Sequence, residues 1–269
     1  MNFSKPVSND AARGKPHAHI LLAEDHPINR EVMLAVLNKL GYRGHPVPDG
    51  REAVKALQAT HYDLVLMDCQ MPEMDGYEAA RLIRNPATRV LNPRIPIVAV
   101  TAGVMAGGRE RCIEAGMDDY LSKPVQPDSL ARTLDKWLCR RPQEEAPTAP
   151  GLAETPTGVS AVFDRAALVG RLMGNQPLAE RVIKAFLEAA PSQLLNLRRQ
   201  LAGQDAAAAR REAHTLKGAA ATISAPLLRG LAFEAEQAAT AGDWNRIEAL
   251  LPRMEDQLDR LRAAIAQLT

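Results

Sequence analysis

Several polar side chains in the first half of the chain directly follow short strand-like runs, and their types could serve one reaction. Glu24 and Asp25 follow ILLA, Asp68 follows LVLM, Thr101 follows IVAV, and Lys123 follows DYLS. Carboxylates are the hard oxygen ligands that Mg²⁺ prefers. An ammonium group and a hydroxyl near such an ion could offset and hydrogen-bond the charge of a phosphoryl group. The set therefore predicts magnesium-dependent phosphoryl transfer.

Asp68 is the carboxylate best placed to act as the nucleophile. It is predicted to end a strand, and the loop after it contains Met, Pro and Gly and leaves it accessible. Glu24 and Asp25 are predicted to begin a helix, where they suit metal binding. An aspartyl phosphate on Asp68 is the expected covalent product. Each of these residues alone is typical of a helix start, a helix cap or a surface charge, so their occurrence at successive strand ends is what favours a site.

A second nucleophile is predicted on an alanine-rich helix over Asp205–Ala221. The predicted core positions of this helix are Ala209, Ala213, Leu216, Ala220 and Ile223. His214 lies about 100° around the helix from Ala213 and is therefore expected to point toward solvent. Its neighbours at three and four residues, which would form a basic and open face, are Arg210, Arg211, Lys217 and Gly218. A neutral imidazole there could accept a phosphoryl group, although an isolated surface histidine usually has no function.

Five alternations of strand and helix are predicted to position the first set of residues. The strands are expected at Ile20–Ala23, up to Val47, and at Asp63–Met67, Ile95–Val100 and Asp119–Ser122. The helices are expected at Asn29–Leu40, Arg51–Gln58, Tyr77–Arg84, Gly108–Ala115 and Pro127–Leu138. This alternation indicates right-handed crossovers and a five-stranded parallel, doubly wound α/β sheet. Polar residues at the carboxyl ends of its strands are expected to meet.

The second half of the chain is predicted to be all-α. Its last helix has apolar residues at steps of three and four, namely Trp244, Ile247, Leu251, Met254, Leu258, Leu261, Ile265 and Leu268. Pro177–Gly203 and Pro226–Ala241 are also amphipathic, and Asp164–Leu172 could form a short leading helix. An antiparallel four-helix bundle is therefore expected.

A change in composition near Arg140 separates the two halves. Residues 141–160 contain four prolines and no apolar periodicity, which is typical of a linker. The predicted organisation is a flexible N-terminal segment at 1–17, an α/β domain at 18–140, a proline-rich linker at 141–160 and an all-α domain at 161–269. A chain of 269 residues is long enough for two domains.

Composition and charge exclude several classes of protein. The chain has 33 Lys and Arg residues against 32 Asp and Glu residues, which argues against a nucleic-acid or anionic-membrane binder. No apolar run approaches the ~18–20 residues of a membrane helix, and the first twenty residues lack the apolar core of a signal peptide. Cys69, Cys112 and Cys139 are odd in number and widely spaced. Reduced thiols and a cytoplasmic location are therefore expected.

Over residues 18–139 the chain resembles a response-regulator receiver domain, whose fold is flavodoxin-like. The matching stretches are ILLAEDHPINREVM, DLVLMDCQMPEMDGYEA, IPIVAVTA and AGMDDYLSKPV. The resemblance implies that Asp68 is the phosphoacceptor and that Thr101 and Lys123 sense the phosphoryl group. It implies Mg²⁺ as the cofactor, with these ligands: Glu24, Asp25, Asp68 and the main-chain carbonyl of Gln70.

Three further positions relate to this resemblance. Tyr120 matches the aromatic switch position of such receivers, and a packed strand residue is the alternative interpretation. His26 stands where such receivers usually carry Asn, and it is expected to affect the surface near the metal but not the chemistry. Pro124 could form a cis peptide that directs Lys123 inward.

The string AHTLKGAAATISAPLL resembles the active helix of histidine phosphotransfer (HPt) domains, and the bundle at 162–269 has their size and helix order. The resemblance implies that His214 carries a phosphoryl group and that Lys217 steadies it. Together the two resemblances imply a two-component phosphorelay. A sensor histidine kinase would phosphorylate Asp68, the receiver would dock on the HPt domain within the chain, and His214 would pass the group to the receiver domain of a downstream response regulator.

The sequence has no Gly-rich loop typical of ATP binding and no basic recognition helix typical of DNA binding. The chain is therefore expected to be a phosphotransfer intermediate, either on its own or as the C-terminal part of a hybrid sensor histidine kinase. Whether it is itself an enzyme stays open.

Two alternative functions come from other classes. A phosphatase of the haloacid-dehalogenase type also uses Asp, Thr and Lys, but it needs a second Asp two residues after the nucleophile, where this chain has Gln70. A binding module, in which phosphorylation of Asp68 only switches a surface and His214 is inert, is the other alternative.

Overall fold

The computed structural model describes residues 18–101, 108–138 and 162–267. The first part is a five-stranded parallel sheet with the strand order β2-β1-β3-β4-β5. The strands are β1 (His19–Ala23), β2 (Arg43–Val47), β3 (Leu64–Asp68), β4 (Ile97–Thr101) and β5 (Asp119–Ser122). The predicted α/β fold class is confirmed. The predicted N-terminal segment and proline-rich linker lie outside the described residues.

Five helices cover the two faces of the sheet. They are α1 (Pro27–Lys39), α2 (Gly50–Ala59), α3 (Gly76–Arg84), α4 (Gly108–Glu114) and α5 (Pro127–Leu138). Successive strand residues point to opposite faces. Leu21 accordingly packs in a core with α2, α3 and α4, whereas Leu22 packs in a second core with α1 and α5. The buried strands are apolar on both sides because helices cover both faces.

The strand ends differ by one or two residues from the predicted ones. Asp68 and Thr101 are the last residues of β3 and β4 and do not follow them, because each still pairs with the neighbouring strand. The edge that they share is the one predicted from the sequence, since all five strands run in the same direction.

The second part is a helical bundle, as predicted. It consists of α6 (Arg165–Arg171), α7 (Gln176–Gly203), α8 (Ala206–Thr222), α9 (Pro226–Ala241) and α10 (Trp244–Ala266). Asn175, Asp205 and Asp243 cap the first turns of α7, α8 and α10 through their side chains. Such caps satisfy amide groups that have no partner within the helix.

Helix α8 is held at both ends. Its predicted core positions are all buried, and they pack against the other helices of the bundle. At its C-terminus, the buried guanidinium of Arg171 donates to the carbonyls of Ala221 (2.8 Å) and Thr222 (2.7 Å). A cation at this position satisfies exposed carbonyls and stabilises the negative end of the helix dipole. These contacts fix the helix that carries His214 within the bundle.

The two parts contact each other through α1, which packs against α7 and α8. Ile28 and Val32 of α1 belong to the apolar core of the bundle, with 4% and 6% of their surface exposed. None of the described helices is both long and apolar enough to cross a membrane.

Gly76 is required where the loop after Asp68 returns to the sheet. A Cβ atom at this position would lie 2.1 Å from the carbonyl oxygen of Asp68. We expect Gly76→Ala to displace the backbone and lower the free energy of unfolding by about 1–3 kcal/mol, the usual cost of overpacking. Urea unfolding followed by circular dichroism measures this loss.

Gly230→Ala is the matched control, because a Cβ atom at Gly230 in α9 has no neighbour within 4 Å. Alanine is favoured over glycine inside a helix by up to about 1 kcal/mol, so this variant should be at least as stable as the wild type. Equal stability of the two variants would contradict the close contact at Gly76.

Candidate functional site

Three carboxylates meet at the carboxyl ends of β1 and β3. One oxygen from each of Glu24, Asp25 and Asp68 lies within 4.8 Å of the others. Glu24 and Asp68 are buried, with 2% of the surface of each exposed, while Asp25 is half-buried. The residues that the sequence predicts as carboxylate metal ligands are thus brought together. Ionised carboxylates at this spacing repel one another unless a cation lies near.

Lys123 supplies one positive charge to this cluster. Its Nζ donates to Glu24 Oε2 and to Asp68 Oδ2, both at 2.6 Å. The peptide bond between Lys123 and Pro124 is cis, as the sequence suggested. Burial alone would lower the pKa of Lys123, but the carboxylates of Asp68 and Glu24 outweigh it and hold this pKa above its ordinary value. Lys123 is therefore a permanent cation in the site.

One ammonium group does not balance three carboxylates. Burial raises the pKa of Asp68 to about 8, with Glu24 and Asp25 adding to the effect and Lys123 opposing it. Burial and the charge of Glu24 raise the pKa of Asp25 to about 6. The site therefore holds its protons tightly because its negative charge is not fully compensated. A hard divalent cation with oxygen ligands would remove this excess, so the donor set fits Mg²⁺.

The main chain after Asp68 also contributes to the site. The amide of Gln70 donates to Asp68 Oδ1 at 3.1 Å. Gln70 and Thr101 line the same cleft as Asp25. Tyr120 is half-buried beside the core of the α2–α3–α4 face, so its packing agrees with the alternative interpretation as well as with a switch.

The sequence suggested that His214 is exposed to solvent, but the structure shows that it is largely buried. Only 12% of its side chain is exposed, and its Nδ1 is 2.7 Å from Glu236 Oε1. The ring does point away from the core of the bundle, but it faces Glu236 of α9 and the receiver-like domain. Helical periodicity describes one helix and could not indicate that a second domain covers this face.

Lys217 is likewise buried and not part of an open basic face. Its Nζ forms a close ion pair with Glu236 Oε2 and lies 5.6 Å from the centre of the Phe233 ring. Glu236 thus bonds His214 through one oxygen and Lys217 through the other. Sequence reasoning missed Glu236, although a glutamate among the apolar positions of α9 is a signal that could have indicated it.

The pairing with Glu236 determines which nitrogen of His214 is available. The carboxylate of Glu236 accepts a hydrogen bond from Nδ1–H, which leaves the lone pair on Nε2. No residue within 18–101, 108–138 or 162–267 forms a hydrogen bond with Nε2. Burial lowers the pKa of His214, and Glu236 only partly opposes this effect. The lowered pKa therefore favours the neutral form of this imidazole near pH 7.

Residues from the carboxylate site and residues around His214 line one cleft of about 1110 Å³. Asp25, Gln70 and Thr101 line it from the sheet edge. His214, Lys217 and Glu236 line it from the bundle. Lys123 is near enough to lower the pKa of His214 by its charge. His214 and Asp25 of the carboxylate cluster thus open into the same cleft.

His26 and Asn29 each contact the helical bundle from the receiver-like part. His26 is buried, and its Nε2 lies 3.2 Å from Nε2 of Gln193 on α7. Asn29 donates to Glu24 Oε1 (2.8 Å) and accepts from the hydroxyl of Thr222 (2.6 Å). The prediction that His26 affects the surface near the metal omitted its contact with the helical bundle. The sequence did not indicate that the bundle packs against this residue.

Comparisons with known proteins identify both parts. Residues 20–135 match the response regulator receiver domain, and residues 181–264 match the Hpt domain. The chain is 31% identical to the sensor protein GacS of Pseudomonas syringae pv. syringae over 267 residues, which is 99% of this chain and 28% of that protein. It is 40% identical to the sensor histidine kinase RcsC of Escherichia coli K12 over 135 residues, which is 50% of this chain and 14% of that protein.

A solved receiver domain of the sensor histidine kinase PA1611 from Pseudomonas aeruginosa, described with a magnesium ion in its active-site cleft, is 45% identical, with a TM-score of 0.42. The match covers 46% of this chain and 98% of that one. The chain spans only 28% of the length of GacS and 14% of the length of RcsC. Its two matched parts, in this order, make it a two-component phosphorelay chain with a response regulator receiver domain followed by an Hpt domain.

Proposed function

We propose that Asp68 accepts a phosphoryl group from the phosphohistidine of a sensor kinase and that His214 takes the group from Asp68 and passes it to a second receiver domain. The observation that carries this proposal is one cleft that Asp25 of the carboxylate cluster lines from one side and His214, with its free Nε2, lines from the other. A cleft shared by the two sites brings the reacting groups near each other, which reduces the entropic cost of the transfer.

In the first step, a carboxylate oxygen of Asp68 attacks the phosphorus of the donor phosphohistidine. The O–P bond forms as the donor N–P bond breaks, and the donor leaves as an imidazole. Lys123 donates to Asp68 from within hydrogen-bond distance and offsets negative charge on the phosphoryl oxygens. Glu24, Asp25, Asp68 and the main chain at Gln70 would hold Mg²⁺, which when bound neutralises phosphoryl charge.

In the second step, the lone pair of His214 Nε2 attacks the phosphorus. The N–P bond forms, the O–P bond breaks, and Asp68 returns to a carboxylate. The proton on Nδ1 stays on the ring, which becomes cationic. Glu236 accepts a hydrogen bond from this proton and stabilises the new charge. Lys217 positions Glu236 through its ion pair, and its charge would also steady the phosphoryl group.

The proposed partners follow from this reaction. The upstream partner is a sensor histidine kinase, and the downstream partner is a response regulator with its own receiver domain. Cys69 and Cys112 are free thiols, in keeping with the cytoplasmic location predicted from the sequence.

Labelling the full chain with radioactive acetyl phosphate and Mg²⁺ tests the relay. We expect label on both residues in the wild type. His214→Gln should hold all label as an alkali-labile acyl phosphate on Asp68, and Asp68→Asn should hold none. The acid-labile, alkali-stable label of phosphohistidine identifies His214. Label that stays on Asp68 in the wild type would favour the binding module, and rapid release of phosphate would favour a phosphatase.

Asp25→Asn tests the metal site. Loss of one carboxylate should weaken Mg²⁺ binding by about tenfold or more, since even residues that only support metal ligands have effects of this size. Isothermal titration calorimetry of the full chain measures the affinity without any turnover. Asp128→Asn, an exposed carboxylate in the first turn of α5, is the matched control. Equal affinity in the two variants would exclude Asp25 as a ligand.

Glu236→Gln tests the activation of His214. Because Glu236 raises the pKa of His214 against the effect of burial, its loss should lower this pKa further. Transfer to His214 should slow by roughly tenfold or more, the effect of losing a charged hydrogen bond of about 1.5–3 kcal/mol. Imidazole ¹⁵N chemical shifts measured against pH give both the pKa and the tautomer.

Glu234→Gln, on the same helix but paired with Arg246 at the surface, is the control for Glu236→Gln. It should leave the titration of His214 unchanged. An unaltered pKa and tautomer of His214 in Glu236→Gln would show that Glu236 does not act on the ring.

A further inference from the structure

Helix α1 presents more apolar surface than its own domain buries. Met33, Val36 and Leu37 pack into the receiver core with strands β1, β3 and β4. Ile28 and Val32 lie on another side of the helix and pack into the core of the Hpt bundle. A helix that is apolar on two sides needs a partner on each. The receiver alone would expose Ile28 and Val32 to water.

Polar contacts surround this apolar contact. The hydroxyl of Thr222 and the amide of Asn29 form a buried hydrogen bond, and Glu31 pairs with Arg181 at 2.7 Å. A Cβ atom at Gly218 would lie 3.5 Å from Asn29 Nδ2, so a longer side chain there would meet α1. Complementary apolar, hydrogen-bonding and charged contacts on one patch are the features of a specific interface.

The patch lies on the helix that carries His214. Within the part of the chain that the structure describes, α1 packs against α7 and α8, and His214 opens into the cleft that its own receiver also lines. A second receiver whose phosphoacceptor must reach Nε2 needs the same side of α8. The two receivers therefore cannot occupy the bundle together.

Residues 139–161 join the two domains covalently, so the competition is unequal. Tethered domains meet at an effective concentration on the order of mM, well above that of a typical free partner. After transfer, however, the phosphoryl group on His214 faces Glu24, Asp25 and Asp68 without a bond to any of them. Repulsion between these like charges weakens the closed arrangement at the stage when the group must leave.

We propose that the receiver of this chain closes on its own Hpt domain through α1 and blocks His214, so that a second receiver gains access only after α1 is displaced. This proposal rests on the proposed function, since it concerns the onward step of the relay. The contacts of Ile28, Val32 and Glu31 stabilise the closed state.

Transfer between two copies of the full chain tests this proposal. The donor is His214→Gln labelled on Asp68 with acetyl phosphate and Mg²⁺, and the acceptor is Asp68→Asn, which receives label only on His214. Adding Val32→Asp to the acceptor places a charge in the closed contact but leaves its bundle and the donor's α1 unchanged. Label should then reach His214 at least about tenfold faster, because burying an unpaired charge is costly.

Glu31→Arg in the acceptor is a second, milder variant. It opposes Arg181 within the acceptor, while Glu31 of the donor can still pair with that arginine. We expect transfer about two- to fivefold faster, in line with the small energies of exposed ion pairs. The matched controls are Leu91→Asp and Glu114→Arg, at exposed positions of the receiver. Neither control should change the rate.

Small-angle X-ray scattering of the same acceptors gives an independent measurement that needs no phosphorylation. Val32→Asp should have a larger radius of gyration than the parent and the Leu91→Asp control, while circular dichroism shows an unchanged helix content. An unchanged radius, or equal transfer rates in the variant and its control, would overturn the proposal. If instead the radius increases but no chain ever carries label on His214, closure stands and the proposed relay fails.

Discussion

The contact of one buried ammonium group with two buried carboxylates is the interaction on which the rest of the site depends. Without Lys123, Glu24 and Asp68 would be two unpaired charges at the edge of an apolar sheet, which is costly in a medium of low dielectric constant. With it, the cluster keeps an excess of negative charge that a bound divalent cation would remove. The same arrangement that stabilises the folded receiver therefore prepares it for a metal ion and a phosphoryl group.

A comparable arrangement surrounds His214, where one carboxylate contacts two nitrogen-bearing side chains, whereas at Lys123 one ammonium group contacts two carboxylates. Glu236 lies between His214 and Lys217. Burial by itself would raise the pKa of Glu236, but the hydrogen bonds and charges of His214 and Lys217 outweigh burial and lower it. One carboxylate thus orients the ring and holds a cation beside it. Each proposed nucleophile thus has one buried partner of complementary charge, Lys123 for Asp68 and Glu236 for His214.

Helix α1 links the chemistry to the contact between the domains. Asn29 bonds the carboxylate of Glu24 and the hydroxyl of Thr222, so a single side chain touches both the acidic cluster and the bundle. The apolar residues around it belong to two cores. The position of the bundle over the sheet edge is therefore determined by a helix that must also fit its own domain.

The sequence alone determined the two folds and indicated Asp68 and His214 as the candidate nucleophiles, because hydrophobic periodicity and polar residues at strand ends are local properties of the chain. Asp68 and Lys123 could be placed at one edge once the strands were known to be parallel. The cover over His214, the role of Glu236 and the contact between His26 and Gln193 could not be predicted in this way. They depend on residues from different helices and domains meeting in space, and no spacing along one helix records which surface will pack against it.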